Sequence, residues 1–242
     1  MTRVMGIVNV TPDSFSDGGQ FFRPEEAIRR ARNLIADGAD IIDLGGESTR
    51  PGATPLGWEE EWARLEPVLS GLASLARLPK DRPVLSVDTY HPETASRAIA
   101  AGVQIVNCVS GEAVPEMLKL LDGNAVELVV PWRENSSVET EDLKRVWNRL
   151  YLDPMIGFGT TREEDLALIK SIPALTRRGR VLVGASRKRI VKKLTGEKLT
   201  GKNLGGNLGI AIWAAMNGAS VVRVHDVKET VQALKVVAAL DE

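Results

Sequence analysis

Short runs of apolar residues alternate with longer amphipathic stretches along the whole chain. The first three runs read RVMGIVN, DIIDLGG and PVLSVDT, and each is continuous rather than alternating with polar residues. Continuous runs of this kind are typical of parallel strands that are buried on both faces. The stretch after the first run has helical periodicity, begins at Pro24 and ends at Gly38, where a glycine suits a helix end. The pattern therefore predicts a strand–helix repeat.

Eight such strand–helix units follow one another, each roughly 30 residues long, the usual length of a βαβ unit. No linker, low-complexity tract or second composition interrupts them. Eight units in one chain favour an α/β fold, a single-domain (β/α)8 TIM barrel over residues 1–242. An open doubly wound sheet is the alternative. It loses its usual support because no Gly-x-Gly-x-x-Gly turn follows the first strand.

Composition narrows the classes of function. The chain has 31 Lys and Arg against 32 Asp and Glu, which argues against nucleic-acid binding. Its single cysteine excludes an internal disulfide, and two histidines exclude a zinc site built mainly from histidine. No apolar run approaches the ~20 residues of a membrane span, and the first residues lack the pattern of a signal peptide. We therefore expect a cytoplasmic protein with small-molecule substrates, no membrane and no nucleic acid.

Polar residues end seven of the eight predicted strands, and only the fifth, AVELVVPW, ends in apolar residues. In a barrel the chemistry lies at these carboxyl ends. The residues are Asn9, Asp43, Asp88, Asn107, Asp153, Ser186 with Lys188, and Arg223 with His225. Singly, each has an ordinary alternative role, such as capping a turn or starting a loop. Together they are hard to explain by packing, because a buried polar group without a partner costs free energy.

Two long Gly- and Pro-rich loops follow the first and second strands, and loops of this length in a compact domain are usually functional. Arg50 in the second loop, with Arg223 and His225 on the last strand, suits an anionic group such as phosphate. Asp88, Asn107, Asp153 and Lys188 are expected on the other side of the barrel. Carboxylates and an amide suit a donor-rich heterocycle. The residues alone thus indicate a barrel that binds a heterocycle joined to a phosphate-like group.

Six segments also resemble the signature motifs of the dihydropteroate synthase family, in the family's order and over essentially the whole chain. The two longest are GIVNVTPDSFSDGG at 6–19 and DLGGESTRPG at 43–52. The other four are SVDT at 86–89, GFG at 157–159, GASRK at 184–188 and RVHDV at 223–227. The resemblance implies a pterin-binding barrel that condenses 6-hydroxymethyl-7,8-dihydropterin diphosphate with p-aminobenzoate and releases diphosphate.

The resemblance also assigns roles to residues. Pterin binding falls on Asp88, Asn107, Asp153 and Lys188. Diphosphate binding falls on Asn9, Thr49, Arg223 and His225, with Mg²⁺ at Asn9. The arylamine pocket falls on Phe15, Thr49, Arg50, Pro51 and Ser186. Catalysis falls chiefly on Lys188, Arg50 and Asp88. Members of the family are commonly homodimers, and the apolar helix predicted at 207–217 is a candidate contact face.

Four departures from the family pattern cluster around strands four to six. Cys108 replaces an aspartate, Met155 replaces a glycine and Thr160 replaces a lysine. The segment VPWRE at 130–134 replaces a His-Met turn. Cys108 is expected to be a small buried residue rather than a nucleophile.

These changes leave alternatives open. The same condensation could use a different arylamine, such as a ribosylated aminobenzene. The chain could also be a pterin-dependent methyltransferase or a non-catalytic pterin-binding paralogue. The methyltransferase has no need of the diphosphate residues and loops, which this sequence keeps.

Overall fold

The structure is a computed structural model that describes residues 1–11, 23–48, 54–73, 83–133 and 141–240. Within these ranges it contains eight strands. They are β1 (Arg3–Asn9), β2 (Ile41–Gly45), β3 (Val84–Asp88), β4 (Ile105–Asn107), β5 (Glu127–Pro131), β6 (Leu150–Asp153), β7 (Leu182–Val183) and β8 (Val221–Val224). All neighbouring strands are parallel, in the order β6-β5-β4-β3-β2-β1-β8-β7.

The two ends of this sheet meet at β6 and β7. A parallel bridge joins Leu152 to Val181, and the Leu152 amide donates to the Arg180 carbonyl at 2.8 Å. The sheet therefore curves round into a barrel, which confirms the predicted architecture and excludes the open doubly wound sheet. β7 contains only two residues, fewer than the apolar run RVLVGAS suggests.

Helices cover the outside of the barrel. They are α1 (Pro24–Ala36), α2 (Trp58–Ala73), α3 (Pro92–Ala100), α4 (Val114–Lys119), α5 (Glu141–Arg145), α6 (Arg162–Thr176), α7 (Arg189–Thr195), α8 (Leu204–Met216) and α9 (Val227–Leu240). α1 shows how the sequence sets a boundary. Pro24 occupies its first turn, and Ala27, Ala31 and Leu34 form its buried stripe. Within the described ranges, no helix is long and apolar enough to cross a membrane.

The barrel interior changes from apolar to polar along the strands. A separate core cluster fills its middle: Met5, Ile41, Ile105, Val129, Tyr151, Leu182 and Val221. Side chains two residues apart in a strand point to the same side of a sheet. The residues two positions beyond this layer therefore also face inward, and four of them are Asp43, Asn107, Asp153 and Arg223. A polar ring thus lies above an apolar floor, at the carboxyl ends of the strands.

Candidate active site

The predicted site residues in the described ranges meet at the carboxyl end of the barrel. Asn9, Asp88, Asn107 and Asp153 are each the last residue of a strand. The strand register aligns three of them, since Asn9 lies opposite Gly45, Gly45 opposite Asp88, and Asp88 opposite Asn107. Parallel pairing brings strand ends to one edge, so consecutive units of the chain contribute to one site. Phe15, Thr49, Arg50 and Pro51 lie outside the described residues.

Arg223 lies between two carboxylates. Its Nε donates to Asp43 Oδ2 at 2.6 Å, and its Nη2 donates to Asp88 Oδ2 at 2.6 Å. Arg223 was predicted on an anion side separate from Asp88, but the two side chains form an ion pair, so the predicted separation is wrong. An arginine side chain is long enough to reach across the barrel interior from β8 to β3. The two predicted halves of the site therefore share one charged group.

Asp43 was counted among the polar strand ends in the sequence but was given no role in the site. It is fully buried and accepts hydrogen bonds from Ser86 Oγ at 2.5 Å and Asn107 Nδ2 at 3.1 Å, besides that from Arg223. The signal was present, because an aspartate inside the buried strand IIDLG needs partners. Asp43 thus fixes the directions of the Asn107 amide and the Arg223 guanidinium.

Asp88 and Asn107 keep acceptor atoms available for a ligand. Asp88 Oδ1 and Asn107 Oδ1 are both buried and have no hydrogen-bond partner within the described residues. Burial raises the pKa of Asp88 to about 7, and Asp43 adds to the rise while Arg223 opposes it. Buried acceptors without donors are costly. A ligand that presents N–H groups would satisfy both oxygens.

Lys188 closes the opposite side of the polar ring. Its Nζ donates to the Ile156 carbonyl at 2.6 Å and lies 4.3 Å from the centre of the Phe158 ring. Burial lowers the pKa of Lys188 to about 8, although Asp153 opposes the shift. Gly157 makes room for this side chain, because a Cβ there would lie 2.9 Å from Lys188 Cδ. Gly157 also has φ +80°, a conformation that favours glycine.

Asp153 interacts electrostatically with Lys188. Burial raises the pKa of Asp153, while Lys188 and the Met155 amide, which donates to Asp153 Oδ1 at 2.7 Å, lower it. Three of the predicted pterin residues therefore end strands β3, β4 and β6 of the barrel, and Lys188 interacts electrostatically with two of them, Asp88 and Asp153.

His225 occupies the β8 side of the site. Its Nδ1 lies 3.1 Å from Ser186 Oγ, and Arg30 donates to its backbone carbonyl at 2.9 Å. Burial lowers the pKa of His225 to about 3, with contributions from Arg187 and Arg223. The imidazole is therefore neutral at pH 7, and it can contribute a hydrogen bond but no charge to an anion.

The departures around β4 to β6 have structural explanations. Cys108 is buried, its Sγ donates to the Ser110 carbonyl at 3.2 Å, and burial raises its pKa to about 11. Its burial is as predicted, and the raised pKa disfavours the reactive thiolate at neutral pH. Thr160 Oγ1 donates to the buried Asp165. Trp132 is buried after β5 and packs edge-on against Trp147, with ring centres 5.6 Å apart.

Met155 has φ +60°, the left-handed conformation that usually requires glycine. Its side chain is nevertheless buried. We expect Met155→Gly to be more stable than Met155→Ala by about 0.5–1 kcal/mol, because both lose the side chain and only alanine keeps the steric cost of positive φ. Chemical denaturation of both variants measures the difference.

Met117 is the matched control, because it is equally buried but lies in α4. There the order should reverse, with alanine more stable than glycine. The same order at both positions would contradict the backbone explanation.

Among the described residues, no group of three or more His, Cys, Asp or Glu side chains could hold a metal ion. Asn9, at the end of β1, offers one amide oxygen. Mg²⁺ commonly takes only one or two protein ligands and completes its shell with water and phosphate oxygens. The residues present therefore fit a magnesium ion that arrives with a phosphorylated substrate.

Comparisons with known proteins agree with this geometry. The family model described as "Pterin binding enzyme" matches residues 5–146 and 133–225. A dihydropteroate synthase of Synechocystis is 36% identical over 99% of this chain and 90% of the relative. A structure of the Xanthomonas albilineans dihydropteroate synthase with 4-aminobenzoic acid is 38% identical, covers 99% of this chain and 93% of the chain in that structure, and has a TM-score of 0.87. A second structure from that organism, in complex with 7,8-dihydropteroate, is 35% identical, covers 99% of this chain and 94% of the chain in that structure, and has a TM-score of 0.83.

Proposed function

Because the chain belongs to the dihydropteroate synthase family of pterin-binding enzymes, we propose a role for each residue of its site in the family's reaction. The chain is a transferase of folate biosynthesis that condenses 6-hydroxymethyl-7,8-dihydropterin diphosphate with p-aminobenzoate and releases diphosphate. The observation that carries the assignment of roles is the pair of buried oxygens without a hydrogen-bond partner within the described residues, Asp88 Oδ1 and Asn107 Oδ1, at the carboxyl end of the barrel. A ligand rich in N–H donors suits both.

The pterin is held by Asp88, Asn107, Asp153 and Lys188. Asp153 and the free oxygens of Asp88 and Asn107 accept hydrogen bonds from ring and amino N–H groups. Lys188 donates to an acceptor of the ring. This assignment is supported by burial, which strengthens each of these hydrogen bonds relative to water.

The diphosphate is held by Asn9, Thr49, Arg223 and His225. Arg223 projects from β8 and contacts Asp43 and Asp88, so we assign its guanidinium to the boundary between the pterin and the diphosphate. Asn9 would hold Mg²⁺, which would neutralise charge on the diphosphate. His225 donates a hydrogen bond as a neutral imidazole, in keeping with its lowered pKa.

The reaction is dissociative. The bond between the pterin methylene carbon and the diphosphate oxygen breaks first, and both electrons leave with diphosphate. The arylamine nitrogen then attacks the methylene carbon to form the C–N bond, and its proton passes to water or to the released diphosphate. Asp43, Asp88 and Asp153 outnumber Arg223 and Lys188, so the polar ring has a net charge of −1 when all five are ionised. That charge stabilises the pterin cation formed between the two steps.

The arylamine pocket comprises Phe15, Thr49, Arg50, Pro51 and Ser186. Arg50 pairs with the carboxylate of p-aminobenzoate, for which a guanidinium has matching geometry. Ser186 lies between His225 and the turn that leads to Lys188, at the boundary of the leaving-group and amine sites. Lys188, Arg50 and Asp88 are the catalytic residues of the reaction.

The protein is also a homodimer through α8. Trp213 is 44% exposed and Met216 is 69% exposed on this helix, and large apolar side chains at this exposure suit a subunit contact. Light scattering measures the mass directly. A monomer at micromolar concentration would contradict the proposal.

The first experiment incubates the purified protein with dihydropterin diphosphate, Mg²⁺ and p-aminobenzoate, and follows diphosphate release and product mass. Dihydropteroate is the expected product, and removal of Mg²⁺ with a chelator should slow its formation. Diphosphate release without dihydropteroate would instead indicate a different amine. Binding of pterin with no release of diphosphate would favour a non-catalytic protein.

A further inference from the structure

The segment that carries Ser186 and Lys188 bends at the residue between them. Arg187 has φ +61°. The Lys188 amide donates to the Ala185 carbonyl at 3.1 Å, which makes residues 185–188 a tight turn. Arg187 is the third residue of this turn, where a positive φ usually requires glycine. A side chain at such a position persists only where its surroundings hold it.

Asn207, from α8, holds this bend. Its Oδ1 accepts the Arg187 backbone N–H at 2.9 Å, and its Nδ2 donates to Asp226 Oδ2 at 3.4 Å. The Arg187 guanidinium pairs with the other oxygen of Asp226. The same Nδ2 lies 3.3 Å from Asn203 Oδ1. Asn207 is only 7% exposed, so its amide is committed to this closed set of contacts.

The bend determines where two site residues point. On one side of Arg187, Ser186 Oγ lies 3.1 Å from His225 Nδ1. On the other side, Lys188 Nζ reaches the Ile156 carbonyl at 2.6 Å. If residue 187 relaxed to a negative φ, the chain direction through the turn would change, and Ser186 and Lys188 could not both keep these contacts.

We propose that Asn207 is a positioning residue, whose side-chain amide fixes the left-handed bend at Arg187 and thereby aims Ser186 and Lys188 into the site. The inference rests on the proposed function, since it concerns the same pterin and leaving-group sites. Asparagine suits the task because one side chain supplies both an acceptor for the Arg187 N–H and a donor for Asp226. A leucine of similar size would leave both unpaired.

The test is Asn207→Ala, assayed alone and in an Arg187→Gly background. Asn207→Ala should lower kcat/KM for the pterin diphosphate roughly tenfold, because the conformation with positive φ at residue 187 then becomes a minority and apparent affinity falls with its population. Its affinity for the pterin, measured by calorimetry, should fall in parallel. Glycine adopts positive φ without steric cost. In the Arg187→Gly background, the same substitution should therefore change kcat/KM by less than about threefold.

Asn217→Ala is the matched control, since Asn217 lies just beyond the same helix and its Nδ2 donates to the Trp213 carbonyl at 2.8 Å, away from the site. It should leave kcat and both KM values unchanged. If Asn207→Ala only lowers the melting temperature, or if the glycine background gives no rescue, the proposal is overturned.

The binding measurement separates this proposal from the proposed function. A wild-type protein that binds the pterin but makes no dihydropteroate would contradict the function alone. A loss of affinity in Asn207→Ala would still support the positioning role. A wild-type protein that does not bind the pterin would overturn both.

Discussion

Lys188→Ala should lower kcat/KM by about 10²–10³-fold, the usual effect of removing one preorganised charged donor from a buried site. The charge of Lys188 lowers the pKa of Asp153 more than that of Arg223 does, and burial amplifies the hydrogen bonds of Lys188. Steady-state kinetics with varied pterin diphosphate measure the loss. Lys193→Ala is the matched control, because Lys193 lies less than two helical turns after Lys188, on α7, and its side chain is exposed. Unchanged turnover in Lys188→Ala would remove Lys188 from the site.

The pH dependence gives a second readout of the same residue. The pKa of Lys188 is lowered to about 8, so the ammonium is lost as pH rises through that value. The pH profile of kcat/KM reports ionisations of the free enzyme. We therefore expect kcat/KM to decline above about pH 8 in the wild-type protein, and this decline to be absent in Lys188→Ala.

The barrel and most of the site could be predicted from the sequence for one physical reason. Parallel strands covered on both faces need continuous apolar runs, so a polar residue at the end of such a run stands out. Asp88, Asn107 and Asp153 were found in this way, and each ends a strand in the structure. The length of β7 was overestimated, because Gly184 and Ala185 extend its apolar run in the sequence but do not pair with a neighbouring strand.

Contacts across the barrel could not be predicted in the same way. Arg223 and Asp88 are 135 residues apart in the chain, and only the closed sheet brings their side chains together. The left-handed bends at Met155 and Arg187 were equally hidden, because neither residue type indicates positive φ. The sequence showed only that Met155 stands where a glycine is usual. The reason that a side chain is tolerated there lies in its packing, which depends on the whole fold.

The largest effect on stability is expected at Arg223. Arg223→Leu leaves Asp43 and Asp88 buried without their shared cation, and breaking a buried ion pair by removing one partner typically costs about 3–5 kcal/mol. At the few degrees per kcal/mol typical of a chain this long, the melting temperature should fall by roughly 10 °C. Arg145→Leu is the matched control. Arg145 pairs with Asp122 at a comparable 2.8 Å, but both side chains are more than half exposed, so little change is expected.

The deficit of Arg223→Leu should also depend on pH. Without Arg223, the main offset to the effects of burial and of the neighbouring Asp43 carboxylate is lost, so the folded-state pKa of Asp88 rises further above its unfolded value. Between those values the folded variant binds more protons than the unfolded chain, so its stability falls as pH rises. The difference from wild type should thus be smaller at pH 5 than at pH 8. Adding Asp43→Asn should recover part of the loss, because only one buried carboxylate then remains. A deficit independent of pH, with no recovery in the double variant, would mean that Arg223 stabilises the barrel by packing rather than by charge.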